Sequence, residues 1–130
     1  MLSLRKVLAA KIGITMSAWA IPLLLFPLDL FVLLGFPPPQ PEIFLRLLGT
    51  AYCALVVGYN KAKSTYPAQA VWVGIVSNGG ATAVLTIAAL VGTWSTWGSF
   101  AQTYMWFSWV SVALITAGLV LQGPCNKSAQ

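Results

Sequence analysis

Histidine is absent from this 130-residue chain, and its acidic side chains are two, Asp29 and Glu42. Without imidazole the chain has no usual axial ligand for haem, lacks the commonest metal ligand and has no usual general base. Two carboxylates are too few for a di-metal or carboxylate-cage site. No enzymatic activity, no metal and no cofactor is therefore expected. Charged residues of both signs make up 7% of the chain, where soluble domains run near about 25%. A water-soluble fold of this length needs polar surface that such a composition does not supply, so an outer face in contact with lipid is expected. Cysteine is scarce as well. Cys53 reads as a small buried hydrophobe and Cys125 as a tail thiol open to acylation, with no disulfide between mid-membrane and cytoplasm.

What fills the chain is hydrocarbon: 58% of residues are hydrophobic and mean hydropathy is +0.83. From Ser64 to Asn126 there is no Asp, Glu, Lys or Arg. One crossing takes roughly 20 apolar residues, so that run holds two crossings and a reversal. The reversal falls at Gly92-Thr-Trp-Ser-Thr-Trp-Gly98, where glycines and small polar residues break the aliphatic pattern. Upstream, two more apolar segments are separated by Phe36-Pro-Pro-Pro-Gln-Pro41, which cannot continue a helix.

The expected fold is all-α, a single-domain integral membrane four-helix antiparallel bundle over 1–130 with spans at about 12–35, 43–60, 68–91 and 101–121. Helices are preferred to barrel strands because the runs are long and do not alternate. A secretory signal is rejected because the first apolar stretch outlasts the roughly 7–15 residues of a signal core and has no small-residue cleavage site before Pro22 or Pro27. Residues 1–11 read equally as an amphipathic interfacial helix, with Leu2, Leu4 and Leu8 in lipid, or as a cytoplasmic extension of the first span.

Basic residues set the orientation. Arg5, Lys6 and Lys11 precede the first span, Lys61 and Lys63 follow the second, and Lys127 follows the fourth, so both termini are expected in the cytoplasm. The expected location is a multi-pass protein of the bacterial inner (plasma) membrane. Tyr59, Tyr66 and Trp72 read as the inner aromatic belt, and Trp94, Trp97, Phe100, Tyr104 and Trp106 as the outer one. A sequence pI of 9.6 does not indicate nucleic-acid binding, because the few basic residues flank spans and suit anionic lipid.

Polar residues inside the spans are the candidate sites. Pro22 deprives the Ala18 carbonyl of a backbone donor, and Pro27 does the same to Leu23. Such carbonyls beside Asn78 offer a solute or ion site, against the plainer reading that Ser77, Asn78, Thr82 and Thr86 bond to neighbouring helices. Asn78 is expected to bond across to the fourth span or to a freed carbonyl. Ser111 completes a polar layer near mid-depth. Asp29 and Arg46 fall at one depth on adjacent helices and are expected to pair. Gly13-x-x-x-Ser17, Gly49-x-x-x-Cys53, Ala54-x-x-x-Gly58 and Gly74-x-x-x-Asn78 favour tight helix contacts.

The segment Phe44-Leu-Arg46-Leu-Leu-Gly49, followed by Gly58 and Lys61, resembles the Arg-x-x-Gly helix ending in Gly-x-x-Lys of DoxX-like four-helix membrane proteins. The resemblance covers about 18 residues and lies in the second span rather than the first. It implies an antiparallel four-helix bundle, sometimes associated with quinone-linked redox partners, and carries over no catalytic residue. The small multidrug exporters need a glutamate in the first span, and vitamin K epoxide reductase needs Cys-x-x-Cys; both are missing. Three functions are left: an accessory or scaffold subunit packing against other membrane proteins or its own copies, a small channel or transporter using the midplane polar layer, and a binder of lipid, sterol, pigment or quinone.

Overall fold

The computed structural model describes residues 4–38, 42–65 and 68–122; Leu2, Tyr66, Cys125 and Lys127 lie outside them. Every regular element among the described residues is helical. The first long helix, Leu4–Leu25, joins α1 (Leu4–Ile14), a π-helical turn (Thr15–Ala20) and α2 (Ile21–Leu25). Then come the short α3 (Leu28–Leu33), α4 (Glu42–Thr65), α5 (Ala68–Leu90) and α6 (Ser99–Gln122). Three helices, Leu4–Leu25, Ala68–Leu90 and Ser99–Leu121, are long and apolar enough to cross a membrane.

Helix ends follow local chemistry. The first long helix stops at Leu25 because Pro27 has no N–H for the Leu23 carbonyl and Phe26 turns extended, with ψ 133°. The apolar run read as one span over 12–35 is thus two helices, and the first begins at Leu4. Residues 4–11 belong to that helix, with Val7 and Leu8 buried in the core, so they extend it and do not lie apart as an interfacial helix. α3 and α5 each end in a left-handed glycine, Gly35 (φ 85°) and Gly92 (φ 70°). At both, the following amide reaches back to close the last turn: Phe36 N to Phe31 O at 3.0 Å and Thr93 N to Ala88 O at 2.9 Å.

The long helices meet in opposite senses. Lys11 of the first helix lies against Tyr59 of α4, Trp19 lies against Tyr52, and Leu23 against Arg46, so rising numbers on one meet falling numbers on the other. Val7 meets Gly118 and Ala18 meets Tyr104 of α6 in the same inverted order. Between α5 and α6, Gly74 faces Leu119 and Thr86 faces Trp109. Glycine lets these backbones close: a Cβ on Gly49 would sit 2.8 Å from Leu24 Cγ, and one on Gly74 would sit 2.9 Å from Leu119 Cδ1.

Val7, Leu8, Tyr59, Val71, Ile115 and Leu119 form a tight core at one end, called here the turn end because α4 and α5 join there. At the opposite, loop end, Gly98 N donates to Gly35 O at 3.0 Å, tying the segment after α3 to the one before α6. Outward faces stay apolar along the helices: Val57 is 72% exposed, Val76 70%, Ile87 63% and Leu114 69%.

Candidate functional site

Among the described residues two cavities lie between the helices, one above the other, divided by Trp19 and Met105, which line both. The loop-end cavity encloses about 390 Å³. Its wall comes from prolines and aromatics that end helices: Pro22, Phe26, Phe31 and Phe36 on one side, Trp97, Phe100 and Tyr104 on the other. The rings brace one another edge to face, with Phe36 and Tyr104 centroids 5.5 Å apart at 81°. Trp19 closes the floor against Tyr52 (5.9 Å) and Tyr104 (5.5 Å).

The two carbonyls that proline deprives of backbone donors are both taken by side chains from other helices. Tyr104 Oη donates to Ala18 O, the carbonyl four residues before Pro22. Arg46 donates one nitrogen to Leu23 O at 3.0 Å and to Phe26 O at 2.9 Å, beside Pro27. These carbonyls fasten α4 and α6 to the first long helix.

That geometry corrects the Asp29–Arg46 pair. Asp29 is exposed in the first turn of α3, and no ion pair joins it to Arg46 among the described residues. The guanidinium reaches the uncapped carbonyls left where the helix breaks. Carbonyl dipoles suit a planar, multi-donor group.

The central cavity encloses about 300 Å³ and reaches toward the turn end. Its polar lining is Lys11, Thr15, Tyr52, Tyr59, Ser77 and Asn78, set against apolar residues such as Leu55, Leu85 and Ile115. Lys11 is 3% exposed, with Nζ 4.3 Å from the centre of the Tyr59 ring. Tyr59 and Ser77 hydroxyls share a hydrogen bond of 3.1 Å between α4 and α5. The chain matches no family model, no curated protein and no solved structure.

Ser77 and Asn78 thus come together with groups on three other helices. Asn78, however, donates Nδ2 to Gly74 O of its own helix at 2.6 Å, not across to α6 or to a freed carbonyl. Thr82 and Thr86 also bond backward, to Asn78 O and Thr82 O, while Thr86 Oγ1 additionally accepts the Trp109 indole N–H at 2.8 Å. Ser111 is buried on α6 but lines neither cavity. Cys53 is a free, half-buried thiol.

Sequence reasoning placed Lys11 in a basic flank and missed it as an interior group. The signal was present: Lys11, Thr15 and Trp19 recur every fourth residue, while Tyr52, Leu55 and Tyr59 mark the facing stripe on α4. Tyr59 and Tyr104, read as belt residues, likewise turn inward, Tyr59 to 2% exposure. Trp72, Phe100 and Trp106 are about half exposed, while Trp94, read as an outer belt residue, is buried.

Proposed function

We propose that this chain is a non-enzymatic, multi-pass membrane protein whose four long helices cross the bilayer as an antiparallel bundle and hold a lipophilic molecule in the loop-end cavity. One observation carries the reading: a cavity of about 390 Å³ walled almost entirely by aromatic, proline and aliphatic side chains. That falls within the roughly 300–1,000 Å³ usual for small-molecule pockets. Water gains little in such a space, because it offers few polar partners. The exposed aliphatic faces of α5 and α6 suit contact with lipid tails. α4 carries Arg46 part-way along, and its anchoring to carbonyls is how a charged residue is accommodated in a crossing helix.

The resemblance of the Arg46 to Lys61 segment to DoxX-like proteins makes a quinone the first ligand to try. The test is quenching of tryptophan fluorescence by decylubiquinone in protein purified in dodecyl maltoside, since Trp19 and Trp97 line the cavity. Saturable quenching near one quinone per chain, weakened in Leu45→Trp, supports the proposal. Quenching that only follows the quinone content of the micelle, alike in both proteins, overturns it for quinones, and hexadecanol and a sterol are then tried as competitors in the same assay.

An accessory-subunit reading rests on a separate observation. Gly13 and Ser17 on the first long helix, and Ala54 and Gly58 on α4, are exposed at similar levels, and a Cβ at Gly13 or Gly58 would meet nothing within 4 Å. Close approach of another helix suits such a surface. A stoichiometric protein partner retained by wild type and lost from Gly13→Leu/Gly58→Leu would favour it.

A further inference from the structure

We infer that the central cavity is a second binding site, for a molecule that carries one carboxylate on a short apolar body, with Lys11 as its counter-charge. The site is separate from the loop-end cavity and stands whether or not that cavity holds a lipophile. Lys11 lies at 3% exposure and lines the cavity. An ammonium so placed calls for a partner anion, since a buried charge is normally paired. The Tyr59 ring face offsets only part of that need.

Among the described residues the chain has no carboxylate to offer there. No described residue lining the cavity is acidic. Asp29 sits on α3 at the loop end, and Glu42 opens α4, 17 residues before Tyr59 (59 − 42), or about 25 Å along a helix. A carboxylate on another membrane protein's helix is also ruled against, because Lys11 points between the helices of its own chain and is not on an outer face. What can reach it is a small molecule. Val84 lines the cavity and is nevertheless 66% exposed, so the cavity opens sideways to the surface beside α5.

The remaining lining specifies the ligand further. Thr15, Tyr52, Tyr59 and Ser77 bring hydroxyls to the lining, and Leu55 and Ile115 bring apolar surface. One cation balances one negative charge and leaves a phosphate dianion under-compensated. An apolar wall also disfavours a fully hydrated small anion.

Isothermal titration calorimetry of the purified full chain in dodecyl maltoside tests this with four probes. Octanoate should bind at one per chain, at least tenfold more tightly than octanol, acetate or inorganic phosphate. Lys11→Met should weaken octanoate at least tenfold, Lys11→Arg should retain it within about threefold, and decylubiquinone quenching should be unchanged in both. Octanol binding as well as octanoate on the wild type removes the role of charge and overturns the proposal. Acetate or phosphate matching octanoate overturns the apolar half and with it the assigned class. Should Lys11→Met fail to fold, the octanoate to octanol ratio on wild type decides alone.

Discussion

Arg46 donates to the Leu23 carbonyl, the one whose backbone donor Pro27 removes. A helix break on one segment and a cation on the next are complementary halves of one contact. The proline creates an acceptor in an apolar setting, and the arginine reaches it from α4. A second such contact joins Pro22 to Tyr104 through Ala18 O. Together they fix the geometry of the loop-end cavity, because both prolines and Tyr104 stand in or beside its wall.

Arg46→Met is expected to destabilise the protein by about 1.5–3 kcal/mol, the range for hydrogen bonds to charged groups. In a Pro27→Ala background, where residue 27 regains an N–H, the same substitution should cost measurably less. Unfolding in mixed dodecyl maltoside and sodium dodecyl sulfate micelles measures both. Equal costs in the two backgrounds would break the link between Pro27 and Arg46. Asp29→Asn, at an exposed position, should stay within about 0.5 kcal/mol of wild type.

Tyr104→Phe removes the hydroxyl that reaches Ala18 O and keeps the ring in place. A loss of about 0.6 kcal/mol, the average for an intramembrane hydrogen bond, rising toward 1.7, is expected in the same assay. Weaker quenching by decylubiquinone should accompany it, because the ring and its partner Trp19 form the floor of the cavity. Unchanged stability and quenching together would mean that Ala18 O needs no side-chain donor.

Gly35→Ala meets two penalties at once. Its φ of 85° is left-handed, costing a side-chain-bearing residue about 1–2 kcal/mol. Its Cβ would lie 2.6 Å from Gly98 Cα, and such overpacking adds about 1–3 kcal/mol. Gly13→Ala is the contrast, helical and open, and should be more stable by about 0.5–1 kcal/mol. Thermal melts of the two proteins should move in opposite directions.

Asn78→Leu should cost about 0.6 kcal/mol or less, since its bond to Gly74 O stays within one turn of α5. The folded variant should still lose octanoate affinity several-fold, because Asn78 lines the Lys11 cavity. A large loss of stability would instead reveal a bond between helices.

Reporter fusions after Gln130 address orientation. The charge rule reads Arg5, Lys6, Lys61, Lys63 and Lys127 as one cytoplasmic side, so a cytoplasmic readout is expected, and removal of Lys11 by Lys11→Met should not reverse it. An extracytoplasmic readout would overturn the expected placement of the C-terminus.

The helical class was legible in the amino-acid sequence, because run length is a local property; the stop at Leu25 was not, since that run was read as one span to residue 35. Pro22 and Pro27 announced two carbonyls without donors, and that much needed no coordinates. Which groups would answer them was not legible. Asp29 and Arg46 were read at one depth, yet depth leaves the azimuth of each side chain open, and the guanidinium reached the Leu23 and Phe26 carbonyls, not Asp29. Lys11 makes the same point. By count it belongs to a basic flank; only the packing of α4, α5 and α6 around the first long helix turned it inward over Tyr59. Cavities are differences between surfaces that come from distant parts of the chain, so their volume and lining are decided when the helices meet.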